Sequence, residues 1–278
     1  MTVLRWAGSK RKLLSTLRDT FSKVLIPDSD QTFWEPFAGS LSVAMMVAQH
    51  FRPKRIVCSD ANASLINFYR HVRDNLESLR QKALELGTRD YYDNRDAYNQ
   101  LLTLEKSQKT PEHALLEAAL FYVLNGTCFN GLFRVNGRGL FNVPFGQREF
   151  KVNDAYLHEL QGILRSTTFE LYEGTQREFF EFFASEMLPG DLLYADPPYD
   201  GTFSNYQATY GKEDHKTLHV YCQQLRERNI HVVSSNSDTP FTTDLWRDFT
   251  VNLVQNNRSF DPSGNERGRV QEILVTSW

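Results

Sequence analysis

Cysteine is scarce in this chain: Cys58, Cys128 and Cys222 are scattered among 278 residues with no C-x-x-C spacing. That excludes a disulfide-stapled scaffold and offers no zinc ribbon, leaving reduced thiols as the expectation. Long apolar runs are missing too, and none approaches the roughly 20 residues of a membrane-spanning helix. The opening Met1–Trp6 lacks a basic region followed by an apolar stretch and a small-residue cleavage site, so the sequence predicts a protein that stays in the cytoplasm. Neither G-x-G-x-x-G nor G-x-x-x-x-G-K-[ST] occurs, so nothing supports a nicotinamide or nucleoside-triphosphate site. Charge of one sign is not in excess: 31 Lys+Arg against 34 Asp+Glu give a net charge of −3. A nucleic-acid partner would therefore need locally concentrated cations. Arg5, Lys10, Arg11 and Lys12 form one such group, and Arg134, Arg138, Arg148 and Lys151 another.

What is present is globular: 41% hydrophobic and 23% charged residues lie near the averages of folded domains. Short β-branched or aromatic runs alternate with amphipathic stretches, the pattern of a parallel sheet flanked by helices. Strands are predicted at Thr32–Phe37, Arg55–Ser59, Thr167–Tyr172, Asp191–Ala195, Ile230–Ser235, Thr250–Val254 and Gln271–Thr276, the last two suiting an antiparallel edge pair. Helices are predicted at Leu13–Phe21, Leu41–Phe51, Ala63–Arg73, Gln176–Met187 and Glu213–Arg228. The alternation breaks between about Asn67 and Phe150, too long for one βαβ crossover. This insertion reads as polar helix over Glu77–Gln108 and apolar helix over Pro111–Leu124. Asn136-Gly137 between alternating flanks then signals a hairpin.

The most informative string is Asp196-Pro197-Pro198-Tyr199 after the apolar Leu193-Tyr194-Ala195. It places a carboxylate in a rigid turn at the carboxyl end of a strand, where α/β sheets bind ligands. Prolines fix φ and remove N–H donors, so backbone carbonyls there can face an incoming amino group. A carboxylate and a carbonyl accepting the hydrogens of an exocyclic amine would localise its lone pair, and Tyr199 would stack on its ring. Phe37-Ala38-Gly39 lies just past the first predicted strand, and Asp60 ends the second, the position that takes ribose hydroxyls in such folds. Trp6-Ala7-Gly8-Ser9-Lys10 sets an aromatic, a small-residue turn and a cation before a helix. His215 and His219 lie four apart on a predicted helix and read as a solvated face. Ser234-Ser235-Asn236 lacks the surroundings of a hydrolase nucleophile.

In order, Trp6–Lys10, Glu35–Gly39, Asp60, a large insertion and Asp196–Tyr199 resemble the Dam family of DNA adenine-N6 methyltransferases of bacteria and phages. Within the insertion, Asn130–Asn136 and Phe141–Gly146 are the most specific part of the likeness. The tail from Asn257 through Gly264 to Val275 is similar to the family's last loop and strand. The resemblance implies an α/β fold, a class I S-adenosylmethionine-dependent methyltransferase with a Rossmann-like sheet. It implies a catalytic domain over 1–62 and 151–278, and over 63–150 a mostly helical DNA target-recognition domain containing a β-hairpin. It also implies methyl transfer from S-adenosylmethionine to adenine N6 in double-stranded DNA, most often at GATC, with base flipping, no metal and a monomeric enzyme. Asp196, Pro197, Pro198 and Tyr199 would be catalytic. Trp6, Lys10, Phe37, Gly39, Asp60 and Asp196 would line the donor site.

For DNA the resemblance implies Arg5, Phe129, Asn130, Leu132, Arg134, Asn136, Pro144 and Arg148. Arg134 would read a guanine as a bidentate fork, Leu132 and Pro144 would meet a thymine methyl, and Phe129 would wedge into the helix. Four positions depart from the family pattern: Leu41 replaces a second glycine, Arg5 replaces a base-contacting lysine whose guanine contact a guanidinium can also make, and Gln147-Arg148 follow the Phe-Gly pair. These leave open an adenine methyltransferase of another specificity, paired with a restriction endonuclease. A retired enzyme surviving as a sequence-specific DNA-binding protein is the alternative from another class.

Overall fold

The computed structural model describes residues 4–6, 8–166, 168–201, 210–257 and 269–278, without side-chain detail for 255–257 and 269–270. Seven strands form one sheet: β1 (Thr32–Glu35), β2 (Arg55–Asp60), β3 (Thr168–Glu173), β4 (Leu192–Ala195), β5 (His231–Ser237), β6 (Thr250–Asn257) and β7 (Arg269–Thr276). Their order is β3-β2-β1-β4-β5-β7-β6. All neighbouring pairs are parallel except those of β7 with β5 and β6. The strands match the predicted runs within one to three residues. Thr167 and Arg258–Gly264, assigned from sequence to a strand start and a loop, lie outside the described residues, as does Ala7.

Helices pack on both faces: α1 (Leu14–Phe21), α2 (Ser42–His50), α3 (Ala63–Asp74), α7 (Asp154–Ser166), α8 (Gln176–Phe183), α9 (Lys212–Glu227) and α10 (Pro240–Leu245). The predicted polar helix of the insertion is two helices, α4 (Leu76–Gly87) and α5 (Tyr91–Leu102), followed by α6 (Pro111–Thr127). Local chemistry sets their starts. Asn62 caps α3 by accepting from Leu65 N–H, Thr110 caps α6 with Pro111 in its first turn, and Thr175 with Glu178 makes a capping box on α8. α7 and α10 were not read from the sequence.

Ala118–Leu124 of α6 are buried all round, in one continuous hydrophobic cluster with Phe68, Tyr69, Ile56 and Phe33. A helix apolar on every face must be interior. The expected hairpin is not built as strands. Val135 and Phe141 make one isolated antiparallel bridge, as do Cys128 and Phe145. The arms are too short for a ladder, because Asn136 folds into a turn: its Oδ1 accepts from Arg138 and Leu140 N–H. Phe133 and Phe141 turn inward, 5.7 Å apart.

Candidate active site and nucleic-acid interface

Strand order reverses between β1 and β4, the switch point where open α/β sheets hold ligands beyond the strand carboxyl ends. Glu35, Gly39, Asp60 and Asp196 all lie there. Gly39 has φ 46°, in the left-handed region. Its N–H donates to Asp60 Oδ2 at 2.9 Å, and its carbonyl accepts from Tyr69 Oη at 2.8 Å. Asp60 Oδ1 accepts from Asn62 N–H. The predicted ribose-binding carboxylate therefore also ties the β1–α2 turn to β2. A Cβ on Gly39 would lie 3.2 Å from the Trp6 indole, which also packs on Phe121 and Phe133. Phe37 meets Tyr210 edge-on at 5.8 Å.

Lys10 is 6% exposed. Its Nζ lies 2.6 Å from Asp196 Oδ2 and 4.7 Å from the Tyr199 ring centre. Asp196 Oδ1 is shielded from solvent and has no hydrogen-bond partner among the described residues. Burial pushes the Asp196 carboxyl up to about 6; Lys10 and, more weakly, the Tyr199 hydroxyl oppose that shift, and Glu272 adds to it. Glu35, wholly interior, is raised well above the usual carboxylate range by burial and then by Asp196 and Asp60. The Cys58 thiol donates to Glu35 at 3.8 Å.

Long-range contacts fix the turn after Asp196, and the sequence did not reveal them. Tyr199 Oη donates to Glu272 Oε2 on β7 at 2.9 Å. Asp200 N–H donates to Asn236 Oδ1, while Ser237 and Thr239 hydroxyls donate to the Asp200 carbonyl and carboxylate. His215 is not on a solvated face, as its helical spacing indicated. It is 3% exposed, shares a hydrogen bond with Asn236 Nδ2 at 3.3 Å, and bonds the Pro198 backbone. Burial lowers its pKa, so it holds the turn as a neutral ring. His219 instead pairs with Asp248 at 2.8 Å.

In the insertion, Arg134 is held in profile: Nε donates to Asn142 Oδ1 at 2.7 Å and one Nη to the Asn142 carbonyl at 3.2 Å. The rest of the fork can face outward. Phe129 is 48% exposed, and Arg5, Pro144 and Arg148 are exposed with it. Leu132 is half-buried against the core. Asn130 adopts φ 55° with a shielded, unpartnered Nδ2. Asn136 spends its Oδ1 on the turn.

The sheet is parallel apart from a reversed β7 and carries an acid at or just past the ends of β1, β2 and β4, around the switch point. The chain belongs to the D12 class N6 adenine-specific DNA methyltransferases, whose family pattern matches residues 6–260. It is 32% identical over 287 residues to the retron Ec67 DNA adenine methylase of Escherichia coli, covering 99% of this chain and 91% of that one. It is 30% identical over 285 residues to the Type II methyltransferase M1.LlaDCHI of Lactococcus lactis subsp. cremoris, covering 99% and 94%. Against the DNA adenine methylase of Escherichia coli K12 it is 30% identical over 289 residues, covering 98% and 93%. Among solved structures, the rRNA methyltransferase AviRa of Streptomyces viridochromogenes aligns with 96% of this chain and 84% of its own at 11% identity and a TM-score of 0.40. The protein is thus an adenine-N6 DNA methyltransferase. No helix among the described residues is long and apolar enough to cross a membrane.

Proposed function

We propose that this enzyme methylates adenine within GATC in double-stranded DNA, using S-adenosylmethionine, with the target base turned out of the helix. The observation that carries the chemistry is Asp196: one oxygen is fixed by Lys10, and the other is shielded and unpartnered in a proline-rigid turn. Two features of the chain fit the donor. Asn62 Nδ2 at the end of β2 is a second shielded polar atom without a partner, and the Gly39 turn leaves room where a Cβ would crowd Trp6. Trp6, Lys10, Phe37, Gly39, Asp60 and Asp196 would hold the donor. When bound, the donor supplies an electrophilic methyl carbon on a sulfonium.

The protein's own part is positioning and charge. Asp196 Oδ1 accepts one N6 hydrogen and the Pro197 carbonyl the other, which keeps the amine lone pair available for attack. Tyr199, its hydroxyl tied to Glu272, offers its ring face to the base. Asp196 takes the proton that N6 releases as the new C–N bond forms. On DNA, residues 63–150 would form the recognition unit, with Arg134 on a guanine, Leu132 and Pro144 near a thymine methyl, Phe129 as wedge, and Arg5, Asn130, Asn136 and Arg148 completing the surface.

Labelled methyl transfer to duplexes carrying GATC, a one-base variant or neither tests this, with Asp196→Ala as control. Label confined to GATC, and a variant that binds DNA yet loses transfer by several decades, is the expected result. Near-normal turnover in Asp196→Ala would discard the mechanism. Label in the variants would keep the chemistry but assign another target, a reading that the exposed Gln147-Arg148 pair and the Type II relative favour.

A further inference from the structure

Asn125 lies in the last turn of α6 and is 5% exposed. Its amide makes both main-chain hydrogen bonds of a residue 120 positions away. Arg5 N–H donates to Asn125 Oδ1 at 2.9 Å, and Asn125 Nδ2 donates to the Arg5 carbonyl at 2.8 Å. The same Nδ2 also reaches the Gly131 carbonyl at 3.2 Å. A side-chain amide thus pairs with Arg5 as a neighbouring strand would, fixing the peptides on both sides of its Cα and so the direction of its Cα–Cβ bond. Gly131, at φ 66°, closes the other side, because a Cβ there would overlap the Arg5 stem. Arg5 itself remains exposed.

We infer that Asn125 is a specificity-determining positioning residue: it locks Arg5 onto the loop that carries Phe129 and Arg134, so that two guanidiniums from distant parts of the chain meet DNA in one fixed register. Resting on the proposed DNA-reading role of Arg5, this gives α6 a task beyond packing. Loss of the Asn125 amide frees the Arg5 backbone and the Gly131 carbonyl while leaving Arg134 clamped by Asn142. Discrimination then falls at one base pair rather than across the site.

The test measures kcat/KM for methyl transfer on the cognate duplex, identified by sequencing methylated DNA, and on each single-base-pair variant of it. Arg5→Ala marks the position that Arg5 reads, with discrimination there dropping about 10- to 100-fold, the worth of a bidentate contact. Asn125→Ala is expected to lower discrimination at that same position by about tenfold and to leave the others within about twofold. Asn125→Asp, which keeps the acceptor for Arg5 N–H but loses the donor to the Arg5 carbonyl, is expected to lower discrimination at that same position by less than Asn125→Ala does and carries the test if Asn125→Ala does not fold. An even loss at every position, or unchanged discrimination in both variants, would overturn the inference. An Arg5→Ala profile matching the wild type would overturn the base-reading role of Arg5, and the inference with it.

Discussion

At the scale of single residues, the Lys10–Asp196 pair governs when the site is competent. A carboxyl whose ordinary value of 3.8 is raised to about 6 can take the N6 proton only when ionised, and is itself protonated as pH falls through 6. kcat/KM reports the free enzyme's groups, so its profile is expected to fall on the acid side with a midpoint near pH 6. Lys10 opposes the rise, so Lys10→Met should move that midpoint upward; a midpoint that stays put would deny the pairing any part in turnover. The Asp-Pro-Pro-Tyr string was legible because its chemistry is local. Its partners were not: Lys10 lies far upstream, and Glu272 is 73 residues beyond Tyr199. No short-range pattern brings them together. His215 was misread for a related reason, since helical periodicity marks a face but not what later covers it.

At the scale of elements, the helix starts that were read fall within one residue of those observed, whereas those of α5, α7 and α10 were missed although Asp90 and Thr239 cap two of them. Thr175→Ala removes the acceptor for Glu178 N–H and half of a reciprocal box. It is expected to cost about 1 kcal/mol, read as a lower denaturant midpoint with methyl transfer unchanged. Gly39 makes the contrasting case. Gly39→Ala would place a side chain at φ 46° within 3.2 Å of Trp6. Calorimetry with S-adenosylmethionine should show affinity weakened about tenfold, the order of magnitude of one strained backbone residue, while DNA binding persists. The insertion's turn was only half legible. Asn136-Gly137 does turn the chain, yet the arms close with a single bridge, because Phe133 and Phe141 are drawn into the core and Arg134 spends its polar edge on Asn142.

At the scale of the whole molecule, a net charge of −3 calls for locally concentrated cations at a DNA surface, as in the two clusters. Lys10 is committed to Asp196, and Arg134 is aimed by Asn142. With Lys10, Arg134 and the base-reading Arg5 set aside, phosphate contacts confined to the rest of the two clusters give a log–log salt slope of about −5 or shallower. A slope near −8 or steeper would show contacts outside these clusters. The sheet was legible at this scale because buried parallel strands announce themselves as apolar runs, whereas the sharing of one core between sheet and insertion was not. Residues of α6 touch the same hydrophobic cluster as Phe33 and Ile56. A chimera that exchanges the insertion between two relatives would therefore tear an interior in half rather than swap a module. Target choice in this lineage should drift by substitution at exposed positions such as Gln147 and Arg148, not by recombination of whole segments.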